Sequence, residues 1–197
     1  MEFNSNLLKI TQCRDCEISN RRNNIVNGVG NKDSELMFIG EAPGYKEDIA
    51  GTPFVGDSGK MLDIMLDLID IPREECFITN VIKCRPPNNR NPIQQEIANC
   101  TMALVSELAF TKPKIVVLLG ATALQSYFRN NKLKITTLRG KVFTQTIRDE
   151  KRYVIATYHP SYVIRNGQSI AKDYVKDFRK IAILYKYLVD PLIQPRI

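Results

Sequence analysis

One histidine, His159, occurs in the whole chain, so histidine chemistry has a single address. It follows the apolar segment YVIATY and opens the run His159-Pro160-Ser161, beyond which come Val163, Ile164 and Arg165. A carboxylate, Glu41, sits in Gly40-Glu41-Ala42-Pro43-Gly44 directly after ELMFIG. An amide, Asn80, closes the segment CFITN. An amide can donate and accept at once and so suits the edge of a nucleobase, a histidine can move or share a proton, and a carboxylate can activate water. Each also has a plain structural reading: Asn80 as a cap on local backbone, Glu41 as a solvated turn residue, His159 as a core histidine. Lys83, Arg85 and Arg90 follow Asn80 and suit phosphates, or equally a solvated surface.

The five cysteines are Cys13, Cys16, Cys76, Cys84 and Cys100. Cys13-x2-Cys16 has the spacing of a metal knuckle, whereas Cys84 and Cys100 lack the second tight pair usual in zinc sites. Four thiolates from three segments suit a [4Fe–4S] cluster. Zinc and unligated thiols remain as alternatives. Cys76 lies inside an apolar segment and reads as a core residue.

Elements that could hold these groups alternate along the chain. Buried strands are predicted at 35–40, 76–81, 114–120 and 153–158, with a weaker one at 141–147. Helices are predicted at 58–69, from an Asn91 cap to about residue 110, after Gly120, and at 169–188. Strands alternating with helices imply a mostly parallel sheet covered on both faces, with any ligand site beyond the carboxyl ends of the strands. Glu41, Asn80 and His159 all fall there. The sequence excludes a P-loop, because Gly59-Lys60 runs into Met61.

With 197 residues, no repeat and no linker-like stretch, the chain reads as one domain over 1–197. Its 28 basic residues against 21 acidic favour polyanionic partners. No apolar run is long enough to span a membrane, and the start lacks the layout of a signal peptide. The expectation is a cytoplasmic protein without a membrane partner.

Taken together, Gly40-Glu41-Ala42-Pro43-Gly44, Phe54-Val55-Gly56, Thr79-Asn80-Val81, Lys83-Cys84-Arg85-Pro86-Pro87 and His159-Pro160-Ser161 resemble the family-4 uracil-DNA glycosylases. The resemblance runs from about residue 7 to residue 188. It implies a three-layer α/β/α sandwich around a mostly parallel four-stranded sheet. It also implies a [4Fe–4S] cluster on Cys13, Cys16, Cys84 and Cys100. The activity implied is monofunctional hydrolysis of the N-glycosidic bond of deoxyuridine in single- or double-stranded DNA, by a monomer.

The resemblance implies roles as well. Phe54 stacks on the flipped uracil, Asn80 reads its polar edge, and the backbone of Gly40, Glu41 and Ala42 completes the pocket. His159 donates to the uracil oxygen that gains charge, and Glu41 positions or activates water. Glu47 excludes thymine. Val163 or Ile164 fills the gap left in the DNA, and Ser161 and Arg165 grip phosphates. A non-catalytic iron–sulfur DNA-binding module on the same fold, or a metal-bearing redox protein, is the alternative. Glu41, Asn80 and His159 at three strand ends argue against both.

Overall fold

The computed structural model describes residues 2–4, 9–147 and 150–189; the remainder of the domain expected over 1–197 lies outside the described residues. The strands are β1 (Glu2–Asn4), β2 (Lys9–Gln12), β3 (Val29–Gly30), β4 (Leu36–Gly40), β5 (Phe77–Asn80), β6 (Ile115–Leu119), β7 (Val142–Ile147) and β8 (Glu150–Thr157). The α-helices are α1 (Tyr45–Ala50), α2 (Asp57–Leu68), α3 (Gln94–Thr111), α4 (Ala121–Tyr127), α5 (Ile135–Leu138), α6 (Pro160–Asn166) and α7 (Gln168–Val189).

β1 and β2 form a separate antiparallel pair. The main sheet has six strands in the order β3-β5-β4-β6-β8-β7. Its four inner strands run parallel, as the continuous apolar segments LMFIG and IVVLL require, since both faces of each are buried. The outer strands β3 and β7 pair antiparallel, so the expected four-stranded sheet gains two edges. β3 has only two residues, too few to register as a strand pattern.

Alternation along the strands divides the core. Leu36, Phe38, Ile78, Val117 and Ile155 pack with Leu62 and Leu66 of α2 and with Tyr174, Phe178 and Ile181 of α7. Met37, Ile39, Val116, Leu118 and Val154 face the other way, against Leu104 of α3 and Leu124 of α4. This is the predicted three-layer α/β/α arrangement.

Helix α3 starts later than its Asn91–Pro92 signal suggested. Glu96 decides the start: its carboxylate accepts from the Ile93 N–H at 2.9 Å and takes a bidentate grip from Arg90.

Candidate active site

β4 and β5 run side by side, and Gly40 lies in register with Asn80 at their carboxyl ends. Immediately beyond, the Val81 and Ile82 N–H groups donate to the carbonyls of Gly40 and Glu41, which ties the two loops together. Asn80 is 2% exposed, and its Oδ1 finds no hydrogen-bond partner among the described residues. A buried amide oxygen without a donor is costly unless a ligand supplies one. Gly40 leaves the space in front of it: a methyl there would collide with Asn80 Oδ1 and with the Phe54 ring.

Phe54 is buried, with φ at +54°, a conformation that a bulky residue adopts only when its surroundings enforce it. Here they do. Arg73 donates through Nη2 to the carbonyls of Pro53 (3.1 Å) and Phe54 (3.0 Å) while pairing with Asp63 at 2.5 Å. Gly59, in the first turn of α2, lies so close to the Phe54 carbonyl that any side chain would strike it. Glu47 closes the same loop. One carboxylate oxygen accepts from the N–H groups of Val55 (3.1 Å) and Gly56 (2.7 Å), the other from that of Gly44 (3.1 Å).

His159 caps α6. Its Nδ1 accepts from the Ser161 N–H at 3.2 Å and lies 2.8 Å from the Ser161 hydroxyl. That places the ring proton on Nε2. Burial, with a lesser contribution from the charge of Arg165, pushes the His159 pKa down to about 4, so the ring is neutral near pH 7. The ring lies 6.0 Å from that of Phe54, centroid to centroid. Glu41 is half-buried, and its Oε2 accepts from Thr122 Oγ1 at 2.5 Å. Gly40, Phe54, Asn80 and His159 therefore share one edge of the sheet, with Glu41 and half-buried Ala42 beside them.

Lys83 is not a phosphate contact. Its side chain is 1% exposed, and Nζ donates to Thr79 Oγ1 (2.5 Å), the Asn80 carbonyl (2.7 Å) and Glu107 Oε2 (2.6 Å). All three of its N–H groups are used, so it cannot reach DNA. Val163 is 4% exposed and packs in the core, which removes it as a residue that fills DNA; Ile164 beside it is 45% exposed. Arg165 is exposed and Ser161 half-buried. Arg85 lies 5.0 Å over the exposed Tyr45 ring and donates to Asn89 Oδ1, while exposed Arg90 is held by Glu96.

Cys13, Cys16, Cys84 and Cys100 line one small cavity walled by Ile10, Ile18, Ile25 and Ile82. The Lys83 N–H donates to Cys100 Sγ at 3.3 Å, and Arg22 donates to Cys84 Sγ at 3.4 Å and to the Cys13 carbonyl at 2.7 Å. Among the described residues, no three His, Cys, Asp or Glu side chains close on a single metal ion. Cys76 stands apart beneath α2, where burial pushes its thiol up to about 12.

Three residues that hold the site were missed in the sequence: Thr122, Arg73 and Glu107. Thr122 follows a strand end and could have been found by the rule that located Glu41. Arg73 and Glu107 carry no local signal, because their partners are distant in the chain.

Known proteins similar to this chain include uracil-DNA glycosylases. The family model described as the Uracil DNA glycosylase superfamily matches residues 27–182. A Type-4 uracil-DNA glycosylase of Archaeoglobus fulgidus is 44% identical over 179 residues, covering 89% of this chain and 89% of that protein. One from Thermotoga maritima is 42% identical over 158 residues, 80% and 81% of the two chains. A Type-5 uracil-DNA glycosylase of Pyrobaculum aerophilum is 29% identical over 147 residues, 67% of this chain and 63% of that one.

Proposed function

Because the chain belongs to the uracil DNA glycosylase superfamily, we propose that the edge formed by Gly40, Phe54, Asn80 and His159 takes a uracil swung out of DNA. The enzyme excises uracil from DNA by hydrolysing the N-glycosidic bond, leaving an abasic site. A stacked base hides that bond, so the nucleotide must leave the helix first.

The observation that carries the reading is the buried, unpartnered Oδ1 of Asn80. Uracil N3–H donates to such an oxygen. Cytosine presents an acceptor at the same position and would leave Oδ1 facing a lone pair. Phe54 supplies the stacking surface and Gly40 the clearance. As the bond from the sugar to N1 breaks, negative charge gathers on the uracil ring and its oxygens. The neutral His159, with its proton on Nε2, donates to an oxygen there without first having to lose a charge. Glu41, steadied by Thr122, orients a water toward the sugar carbon and accepts its proton as the new C–O bond forms. Glu47 acts by bracing the loop around Phe54, and through that loop it sets the room at the C5 edge where thymine carries its methyl. Ile164 fills the space vacated in the duplex, while Arg85, Arg90, Ser161 and Arg165 meet the backbone.

The four cavity thiols suit a [4Fe–4S] cluster. They surround a space rather than converge on a point, and Cys84 and Cys100 already receive N–H donors. Such a cluster would supply a structural tie between the N-terminal segment, the Cys84 loop and α3. The reading also takes the protein to work as one domain and as a cytoplasmic monomer; among the described residues no helix is long and apolar enough to cross a membrane.

The direct test is incubation with a uracil-containing oligonucleotide followed by alkali. Strand scission at the uracil position is expected. Scission no greater than without enzyme would refute the reading.

A further inference from the structure

Two buried charges, Lys83 and Glu107, lie behind Asn80. Lys83 and Glu107 are both nearly inaccessible, with side chains 1% and 3% exposed. Glu107 Oε1 accepts from the Gly28 N–H at 2.9 Å, and Oε2 accepts from Thr79 Oγ1 at 2.7 Å as well as from Lys83. Every hydrogen of the ammonium and both carboxylate oxygens are engaged. A buried ion pair of this kind is seldom more stabilising than apolar residues of the same volume, so its placement calls for another explanation. Lys83 donates to one atom of the base-reading strand end, the Asn80 carbonyl.

We infer that Lys83, Glu107 and Thr79 form a positioning network for base recognition. They lock the main chain of Asn80 from behind, so that its buried Oδ1 is held where the uracil N3–H arrives. The network spans three segments: Gly28 before β4, the β5 end with the loop after it, and α3. A shift of the Asn80 main chain would break the charge-assisted bond from Lys83, which Glu107 and Thr79 hold in place. This inference rests on the reading of Asn80 as the uracil contact.

The test uses the full-length, metal-loaded protein carrying Lys83→Met together with Glu107→Gln. The pair is removed as a unit, so no lone charge remains buried, and the glutamine can still accept from Gly28. Four quantities are compared with wild type: single-turnover excision, inhibition by free uracil, affinity for abasic-site DNA and iron content. Loss of one to two hydrogen bonds' worth of positioning should slow excision and weaken uracil inhibition by about tenfold each. Abasic-DNA affinity and iron should stay within about twofold. In an Asn80→Ala background the same double substitution should have little further effect, because the network would act only through Asn80.

Where the double variant does not fold, Thr79→Val keeps the ion pair and removes the hydroxyl shared by Lys83 and Glu107. A smaller loss with the same pattern is then expected. A folded variant with wild-type excision and uracil inhibition would overturn the inference. So would equal losses for uracil and abasic DNA, or full additivity with Asn80→Ala. If wild type itself left uracil DNA intact, the proposed function would fail instead.

Discussion

His159 offers a test in which a neutral hydrogen-bond donor and a cationic acid give different pH profiles. Its Nδ1 is held as an acceptor by the Ser161 N–H, and burial brings its pKa from an ordinary 6.5 to about 4. That difference corresponds to roughly 3 kcal/mol in favour of the neutral ring. At pH 7 only about one ring in a thousand would be charged. A neutral Nε2–H donor therefore predicts a single-turnover rate that does not increase as pH is lowered from 8 to 5.5. A cationic acid would instead gain close to tenfold per pH unit until it became fully charged. The same shift bears on stability. The depressed pKa means that the fold takes up fewer protons than the unfolded chain between about pH 6.5 and 4. Stability from this group is complete above 6.5 and falls as pH drops through that window, by up to roughly 3 kcal/mol. His159→Ala should lower the chemical rate about 100- to 1,000-fold with DNA affinity nearly unchanged. Rapid-quench kinetics, urea unfolding and binding isotherms across pH address all three. A rate that climbs through pH 6.5, or a His159→Ala enzyme that cleaves normally but binds DNA poorly, would refute the assigned role.

Gly40→Ala should abolish uracil excision while the protein stays folded, because the methyl occupies space shared with Asn80 Oδ1 and Phe54; inhibition by free uracil should disappear with it. Cys84→Ala should lower iron content and thermal stability together, whereas Cys76→Ser, in the core away from the cavity, should leave iron at the wild-type level. Metal analysis of anaerobically purified protein distinguishes the two. Arg165→Ala should weaken binding to all sequences alike and flatten its salt dependence by about one phosphate contact. Ile164→Ala should slow excision from duplex DNA more than from a single strand, since only the duplex has a gap to fill.

The inner sheet was legible because parallel strands buried on both faces are uninterrupted apolar runs, and the rule that ligands bind beyond their carboxyl ends then pointed to Glu41, Asn80 and His159. What stayed hidden depended on long-range partners. Lys83 follows Asn80 in a basic loop and reads as exposed; only Glu107, which reaches it from α3, makes its burial possible. Val163 and Ile164 are equivalent as letters. The phase of the seven-residue helix α6 turns one into the core and the other to solvent, and so short a helix shows no periodicity from which to read it. The conformation of Phe54 likewise comes from Arg73 and Gly59, neither of which announces itself locally.

The strand order has a consequence for how the enzyme is made. β4 comes first among the parallel strands yet lies between β5 and β6, both of which are translated later. The first of the proposed pocket residues, Gly40, waits for Asn80, and both wait for His159 beyond β8. Among the described strands of the main sheet only the β7–β8 hairpin is local; every parallel pairing closes a long stretch of chain, which slows folding. A nascent chain emerging from the ribosome thus exposes apolar strands early but cannot assemble the proposed base pocket until β8 and α6 have been made. Truncated products of translation would carry the basic loops without the machinery to cut a glycosidic bond.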